Sequence, residues 1–496
     1  MKFPFLPALL LASAPLAHAA PPNVVILYAD DLGYGDISCN GATAVRTPNI
    51  DRLAKEGLKF RAGYATASTC TPSRFSLMTG KYPFRQNGTG ILPGDAALII
   101  PTGQPTLPSV LKAAGYRTAA VGKWHLGLGG KGGIDWNKPV SPGPNQVGFD
   151  HSFIMPATAD RVPCVYMEDG RVVGLDPADP IKVSYRHRLE GEAPPLEKDQ
   201  RKVQSDPQHS MGFVNGVGRI GHMTGGTKAL WKDEDMSATF CKQAVDFIRA
   251  SKDKPFFLYY ACHNIHVPRV PGPQFVGKTS MGPRGDSIVE ADWQVGEVLR
   301  VLDELKLADN TLVILSSDNG PVVNDGYLDQ SVVKLGDHKP AGPWRGGKYS
   351  NYEGGTRVPF LVRLPGRVKP GTTSDAMVSQ VDLARSLAKL AGASVAADAF
   401  PDSKDVLPAL LGESPTGREE IVGLGSQVTL RRGSWKYIPA TGGKKASTPD
   451  QLYDLATDPG EKTNLAATKP EEIKQLAARL KEITSKVTPR EPVTEE

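Results

Sequence analysis

The sequence predicts an α/β protein: a large mixed, mostly parallel sheet sandwiched by helices, with a smaller α+β C-terminal subdomain. Three observations carry this expectation. Continuous apolar runs alternate with amphipathic helical patterns along most of the chain. Polar residues cluster directly after those runs, and from about Glu419 the texture changes to short strands. Strand–helix alternation of this kind builds a mostly parallel sheet covered on both faces.

In chain order, the buried parallel strands are predicted over Val24–Tyr28, Thr118–Val121, Phe256–Ala261 and Leu312–Leu315, each a short apolar run. Helical periodicity marks Thr47–Lys55, Leu107–Ala114, Ala238–Ala250, Ile288–Leu305 and Val381–Leu390. The Gly/Pro-rich stretch Leu126–Gly148 and the polar stretch Glu190–His209 read as long loops, the first with a rim or lid role. Strands at Ser426–Arg431 and Trp435–Pro439 and a closing helix over Pro470–Lys486 make up the C-terminal subdomain. The expected division is 1–19, a signal peptide; 20–415, the main domain; and 416–496, the subdomain.

At 496 residues the chain is long enough for two or three folding units. Its 40% hydrophobic and 22% charged residues are ordinary for a soluble enzyme, and a net charge of +5 spread along the chain calls for no nucleic-acid partner. Lys2, the apolar run Phe3–Leu16 and Ala17-His18-Ala19 form an export signal with an A-x-A cleavage site after Ala19. That run is too short to span a bilayer, no other stretch could span one, and no cysteine follows the cleavage site to take a lipid anchor. The mature chain is thus expected in a periplasm or outside the cell. Five cysteines follow: Cys39, Cys70, Cys164, Cys241 and Cys262. With Cys70 set aside for chemistry, the other four allow up to two disulfides, in any of three pairings.

Ligands of open α/β sheets bind beyond the carboxyl ends of the strands. Four predicted strand ends deliver polar residues there: Asp30-Asp31, then Lys123 with His125, then His263 with His266, and finally Asp318-Asn319. Singly, each has a plainer explanation. An Asp-Asp pair caps a helix, Asp-Asn-Gly makes a turn, and a strand-end histidine bonds locally. Together, three carboxylates and an amide oxygen form the all-oxygen shell a hard cation prefers, Ca²⁺ first and Mg²⁺ as the fallback. No H-x-x-x-H or C-x-x-C spacing points to zinc.

The most specific segment is Cys70-Thr71-Pro72-Ser73-Arg74, continuing to Leu77 and Thr79-Gly80. With it come Asp30-Asp31-Leu32-Gly33, Thr47-Pro48-Asn49-Ile50-Asp51, Gly122 to Gly127, His266-Val267-Pro268, Ser317 to Gly320, Lys348 leading to Tyr352-Glu353-Gly354-Gly355, and the late Leu452-Tyr453-Asp454-Leu455. In that order and over nearly the whole mature chain, these blocks resemble the type I sulfatases of the alkaline-phosphatase-like superfamily. The resemblance implies a sulfuric ester hydrolase, arylsulfatase-like, whose Cys70 a formylglycine-generating maturation enzyme converts to formylglycine. It implies that Asp30, Asp31, Asp318 and Asn319 hold one calcium together with the modified Cys70. One hydroxyl of the hydrated aldehyde attacks sulfur to give a sulfoenzyme intermediate, and Arg74 stabilises that diol. Lys123 and Lys348 neutralise the sulfuryl oxygens, His266 protonates the leaving alcohol, and His125 contacts the second hydroxyl. The segment after Cys70 also reads as a helix start, whose N–H groups favour developing negative charge.

Where family relatives carry a serine near the sulfate, this chain has Thr158. The other residues expected around the substrate are Asp160, Arg161, His263, the segment Arg219–His222, and the insertion Asp325–Arg345 with Asp337, His338 and Arg345. Sulfated carbohydrates are the implied substrates, with aryl sulfates as surrogates. Two other readings stay open on the sequence: a phosphomonoesterase or phosphodiesterase of the same superfamily, and a non-catalytic sulfated-glycan-binding protein if Cys70 is unmodified.

Overall fold

The computed structural model describes residues 21–442 and 448–485. The expected signal peptide and the final residue of the predicted closing helix, Lys486, lie outside the described residues.

A ten-stranded sheet forms the centre. Its middle is five parallel strands in the spatial order Thr311–Ser317, Asn23–Ala29, Phe256–Ala261, Arg117–Lys123 and His151–Met155. On one side Phe360–Arg363 joins antiparallel to Thr311–Ser317, followed by Leu58–Phe60 and Thr372–Ser374. On the other side, Met167–Glu168 and Arg171–Val172 extend the sheet as a hairpin. The sheet is therefore mixed and mostly parallel at its core, as the alternating pattern predicts. Every residue of Asn23–Ala29, Phe256–Ala261 and Thr311–Ser317 is buried, which is why these strands read as unbroken apolar runs rather than alternating ones.

The predicted helices form at Pro48–Glu56, Leu107–Ala113, Met236–Ala250, Pro283–Glu304 and Leu383–Leu390. The fourth begins five residues before the expected Ile288. Gly282-Pro283 looks like loop punctuation in sequence, but a proline at the first helical position lacks only an N–H that has no partner there anyway. The fifth starts after a 3₁₀ turn, Gln380–Asp382. The edge strands are too short to leave a sequence pattern of their own.

At the C-terminal end, Glu420–Leu424, Val428–Arg432, Trp435–Ile438 and Gln451–Asp454 form a separate antiparallel sheet. Helix Pro470–Ser485 packs on it through Leu476, Leu480 and Ile483, and Tyr82 and Val381 of the main body enter the same core. All five cysteines are free thiols, so neither of the permitted disulfides forms. No described helix is long and apolar enough to cross a membrane.

Strand register sets the site. Ala29 pairs with Ser317, Tyr28 with Ala261, and Ala261 with Gly122. The residues just beyond these positions therefore emerge side by side at the carboxyl edge. Gly122 has φ +102, and a Cβ there would lie 2.0 Å from the Ala261 carbonyl oxygen. Only glycine lets the strand carrying Lys123 come this close to its neighbour.

Candidate active site

Asp30, Asp31, Asp318 and Asn319 are each 0% exposed and converge from two adjacent strands. Asp31 takes φ 60, a left-handed conformation in which its N–H donates to Asp318 Oδ1 at 3.2 Å. Non-glycine residues hold this conformation at a cost, and such positions concentrate at functional sites. Asn319 Nδ2 donates to Asp31 Oδ1 at 2.7 Å, which fixes the amide so that Oδ1 is its free acceptor.

Three cations face the three carboxylates, each closest to a different one. Lys123 Nζ is 2.6 Å from Asp30 Oδ2, Arg74 Nη2 is 2.7 Å from Asp318 Oδ2, and Lys348 Nζ is 2.9 Å from Asp31 Oδ2. Burial, reinforced by the neighbouring Asp318 and Asp31, still pushes the Asp30 carboxyl well above the usual range against the pull of Lys123. Asp30 Oδ1 and Asn319 Oδ1 are buried without a hydrogen-bond partner. Orphaned acceptors are costly in a protein interior. With the carboxylates of Asp31 and Asp318 beside them, these two oxygens make an oxygen-lined site that fits a hard divalent cation. Asp30, Asp31 and His266 also present ligand atoms within 4.8 Å of one another, so the histidine borders the same pocket.

Cys70 is the first residue of helix Cys70–Thr79, after Thr69 in extended conformation. Its Sγ lies 3.3 Å from His125 Nδ1. Burial raises the thiol pKa against the influence of Lys123 and Lys348, so an unmodified Cys70 is held as the thiol. His125, also left-handed at φ 53, places Nε2 2.9 Å from the Leu92 carbonyl oxygen. A carbonyl only accepts, so Nε2 carries the proton. Burial and then Lys123 push this imidazole well below its ordinary pKa, which leaves Nδ1 as a lone pair aimed at position 70. His266 is neutral for related reasons, burial first and then Lys348 and Lys123, while Asp160 opposes them. Its Nδ1 donates to the Val267 carbonyl at 2.7 Å, and its Nε2 is 3.9 Å from Asp31 Oδ2.

Arg74 is fully committed. It donates to Asp318 through Nε and Nη2, and through Nη1 to the Lys123 carbonyl at 3.2 Å and the Tyr259 hydroxyl at 2.9 Å. Each of its three nitrogens thus has a partner, with Asp318 taking two of them. Burial works against the Lys348 charge, but Asp31 and Asp325 outweigh it and hold the pKa well above the ordinary value. Asp325 Oδ2 is 2.9 Å from Lys348 Nζ, so this lysine is shared between two carboxylates.

The wall after strand His151–Met155 carries Thr158, Asp160 and Arg161. Thr158 donates its hydroxyl to Asp160 Oδ1, and Arg161 Nη1 binds Thr158 Oγ1 at 2.7 Å and both Asp160 oxygens at 2.9 Å. His209, at the end of the long polar loop, adds Nε2 3.6 Å from Asp160 Oδ2 while Nδ1 bonds Asp206 at 2.8 Å. His263 is buried with Nδ1 unpartnered, and burial with Lys123 lowers its pKa to about 3.

Three expected substrate-side positions lie elsewhere. The His338 side chain is buried on Asp36, Nε2 to Oδ1 2.8 Å, in a network with Arg284. Arg345 donates to the Glu461 carbonyl and stacks 3.8 Å over Tyr352. Arg219 is enclosed, bidentate on Asp233, while Asp337 is exposed. The insertion thus braces the site from behind: Pro340 O accepts from Gly35 N, and a Cβ on Gly33 would stand 2.2 Å from that oxygen. Sequence reading missed His209, Asp325 and Tyr349. Of these only Asp325, the first residue of the suspected insertion, had a signal.

Residues 22–393 match the family model described as Sulfatase. An N-acetylgalactosamine-6-O-sulfatase of Bacteroides thetaiotaomicron is 49% identical over 483 residues, covering 95% of this chain and 94% of that relative. Arylsulfatase A of Homo sapiens is 33% identical over 485 residues, 92% of this chain and 86% of the human protein. A solved structure from work on glycosaminoglycan metabolism by Bacteroides thetaiotaomicron superposes with a TM-score of 0.91 at 47% identity, over 94% of this chain and 100% of the other.

Proposed function

The chain belongs to the sulfatase family and is a sulfuric ester hydrolase, and from that premise we propose an exported, calcium-dependent enzyme that removes sulfate from carbohydrate esters through formylglycine at position 70. The observation that carries this reading is the setting of Cys70: a helix start beside a histidine lone pair, in front of paired lysines and an oxygen-lined pocket. The N-acetylgalactosamine-6-O-sulfatase relative supports a 6-sulfated N-acetylhexosamine as the ester. Export rests on Lys2, the apolar run and Ala17-His18-Ala19.

Asp30, Asp31, Asp318 and Asn319 would hold the calcium, with the modified side chain at position 70 completing the set. Bound there, the ion would add charge for an anionic ester and favour ionisation of a hydroxyl beside it. Formylglycine, installed by the maturation enzyme, would supply as its hydrate one hydroxyl to attack sulfur and a second whose deprotonation expels sulfate and restores the aldehyde. Lys123 and Lys348 bind sulfuryl oxygens, and the N–H groups at the start of helix Cys70–Thr79 add to the positive field. Arg74 keeps Asp318 in place. His125 Nδ1 receives a proton from position 70. His266 Nε2, a lone pair while the ring is neutral, faces the leaving oxygen and serves it as an acid once protonated, a change that Asp160 favours against burial, Lys348 and Lys123. Thr158, Asp160, Arg161 and His263 are the groups available to the sugar side of the ester.

The test is sulfate release by formylglycine-verified, calcium-loaded enzyme from 6-sulfated N-acetylhexosamines, other sulfated sugars, an aryl sulfate and matched phosphate esters. Turnover of a sugar 6-sulfate, lost in Cys70→Ala, is expected. Release of phosphate but no sulfate would move the chain to the phosphoesterase reading.

A further inference from the structure

Tyr349 is the one exposed tyrosine, phenylalanine or tryptophan among the described residues, at 47%. It follows Lys348, which is 7% exposed. Its backbone holds φ 72, which tyrosine rarely adopts, and its N–H donates to the carbonyl of Ser68, two residues before Cys70. Its hydroxyl lies 3.1 Å from each oxygen of Asp325, and its ring centroid is 5.4 Å from Lys348 Nζ. Bonded to Ser68 just before Cys70 and set against Lys348, Tyr349 therefore stands at the surface on the Lys348 side of the reacting position.

Two features make this more than a stray surface tyrosine. The ring is oriented by a carboxylate that also grips a sulfate-binding lysine, so platform and anion site are held by one group. At 47% exposure an aromatic side chain stands at the surface where a solvated polar residue would be the default. Tyrosine suits such a place because it offers a rigid apolar body with a polar tip. The C–H face of a pyranose is the complementary surface.

We propose that Tyr349, oriented by Asp325, is a specificity-determining platform on which the sugar ring bearing the sulfate ester packs. This rests on the carbohydrate-sulfatase reading above. The test compares Tyr349→Gly, which removes the ring and suits the positive φ, with Tyr349→Phe, which keeps it, in formylglycine-verified enzyme with calcium. Each is assayed on a 6-sulfated N-acetylhexosamine and an aryl sulfate, with inorganic sulfate as competitive inhibitor. Tyr349→Gly is expected to raise the sugar-sulfate KM by about tenfold or more, with the loss falling on KM rather than kcat. Tyr349→Phe, which keeps the ring but not its bond to Asp325, is expected to restore part of it. The inhibition constant of inorganic sulfate is expected to move far less than KM in both. An unchanged KM in Tyr349→Gly overturns the proposal. So does an equal rise for inorganic sulfate, which would trace the effect to Lys348, or a Tyr349→Phe as impaired as the glycine variant. A parent enzyme that cleaves the aryl sulfate but no sugar sulfate overturns the carbohydrate reading, and the platform with it.

Discussion

Lys123 Nζ lies 2.6 Å from Asp30 Oδ2, and both side chains are completely enclosed. The pair fixes the charge balance of the site, because three clustered carboxylates depend on three cations. Removing one partner of a buried pair leaves a bare charge, at a cost of about 3–5 kcal/mol. Lys123→Ala is expected to lower the melting temperature of calcium-free protein sharply and to lose less when calcium is present. Its kcat/KM on any sulfate ester should fall about 100-fold or more. Equal melting losses with and without calcium would show that the lysine and the ion do not share the carboxylates.

Calcium itself should stabilise the fold. An ion that binds only the folded state at about 100 times its Kd adds roughly 2.7 kcal/mol. Chelator-treated protein is expected to melt lower, to regain its melting temperature with Ca²⁺, and to respond less in Asp318→Asn. Thermal melts that ignore both chelator and calcium would remove the metal from the mechanism.

His338 is expected to matter for folding more than for substrate binding. Its ring is sealed against Asp36, which Arg284 also grips. His338→Ala should cost on the order of 1–3 kcal/mol, the range for an orphaned buried hydrogen-bonding group. Urea unfolding gives the stability change, and steady-state kinetics should show KM nearly constant. A KM effect with unchanged stability would return His338 to the substrate.

The buried pair Glu353–Glu461 gives a pH signature. Burial and the Glu353 charge push the Glu461 carboxyl up to about 8, while Lys436, Arg431 and Arg357 overcome burial to hold Glu353 at about 2. A pKa raised on folding contributes stability below the unfolded value, about 4.5, that is lost as pH rises through the folded one. Glu461→Gln does not titrate, so its stability relative to the parent should improve steadily from about pH 5 to pH 8. The Glu353 contribution is lost only below that window. A flat difference across these pH values would mean that Glu461 is ionised in the fold.

Much of this site is legible from order alone. Asp30-Asp31, Lys123, His125, His266 and Asp318-Asn319 all come after apolar runs, and parallel strands deliver the residues at their carboxyl ends to one edge. Position 70 is legible because Cys70-Thr71-Pro72-Ser73-Arg74 with Thr79-Gly80 resembles the family's nucleophile segment. His338 and Arg345 show the limit. They lie in an insertion rich in charge, and nothing local says whether such a loop faces the pocket or packs behind it. Tyr349 and His209 had no signal, since a lone tyrosine or histidine in a loop gains meaning only from the groups across from it.

Fold class, the strands that carry the chemistry and the strand-end members of the charged cluster can be read along the chain, because each depends on periodicity or on residues adjacent in sequence, whereas Arg74 and Lys348 enter only through the family resemblance. The three-dimensional packing was needed to show which cation faces which carboxylate, that Arg74 is occupied by Asp318, that Asp325 links Lys348 to Tyr349, and that all five cysteines stay free. These are pairings between distant segments. Strand register and close packing set them, and neither is a property of any local stretch of chain.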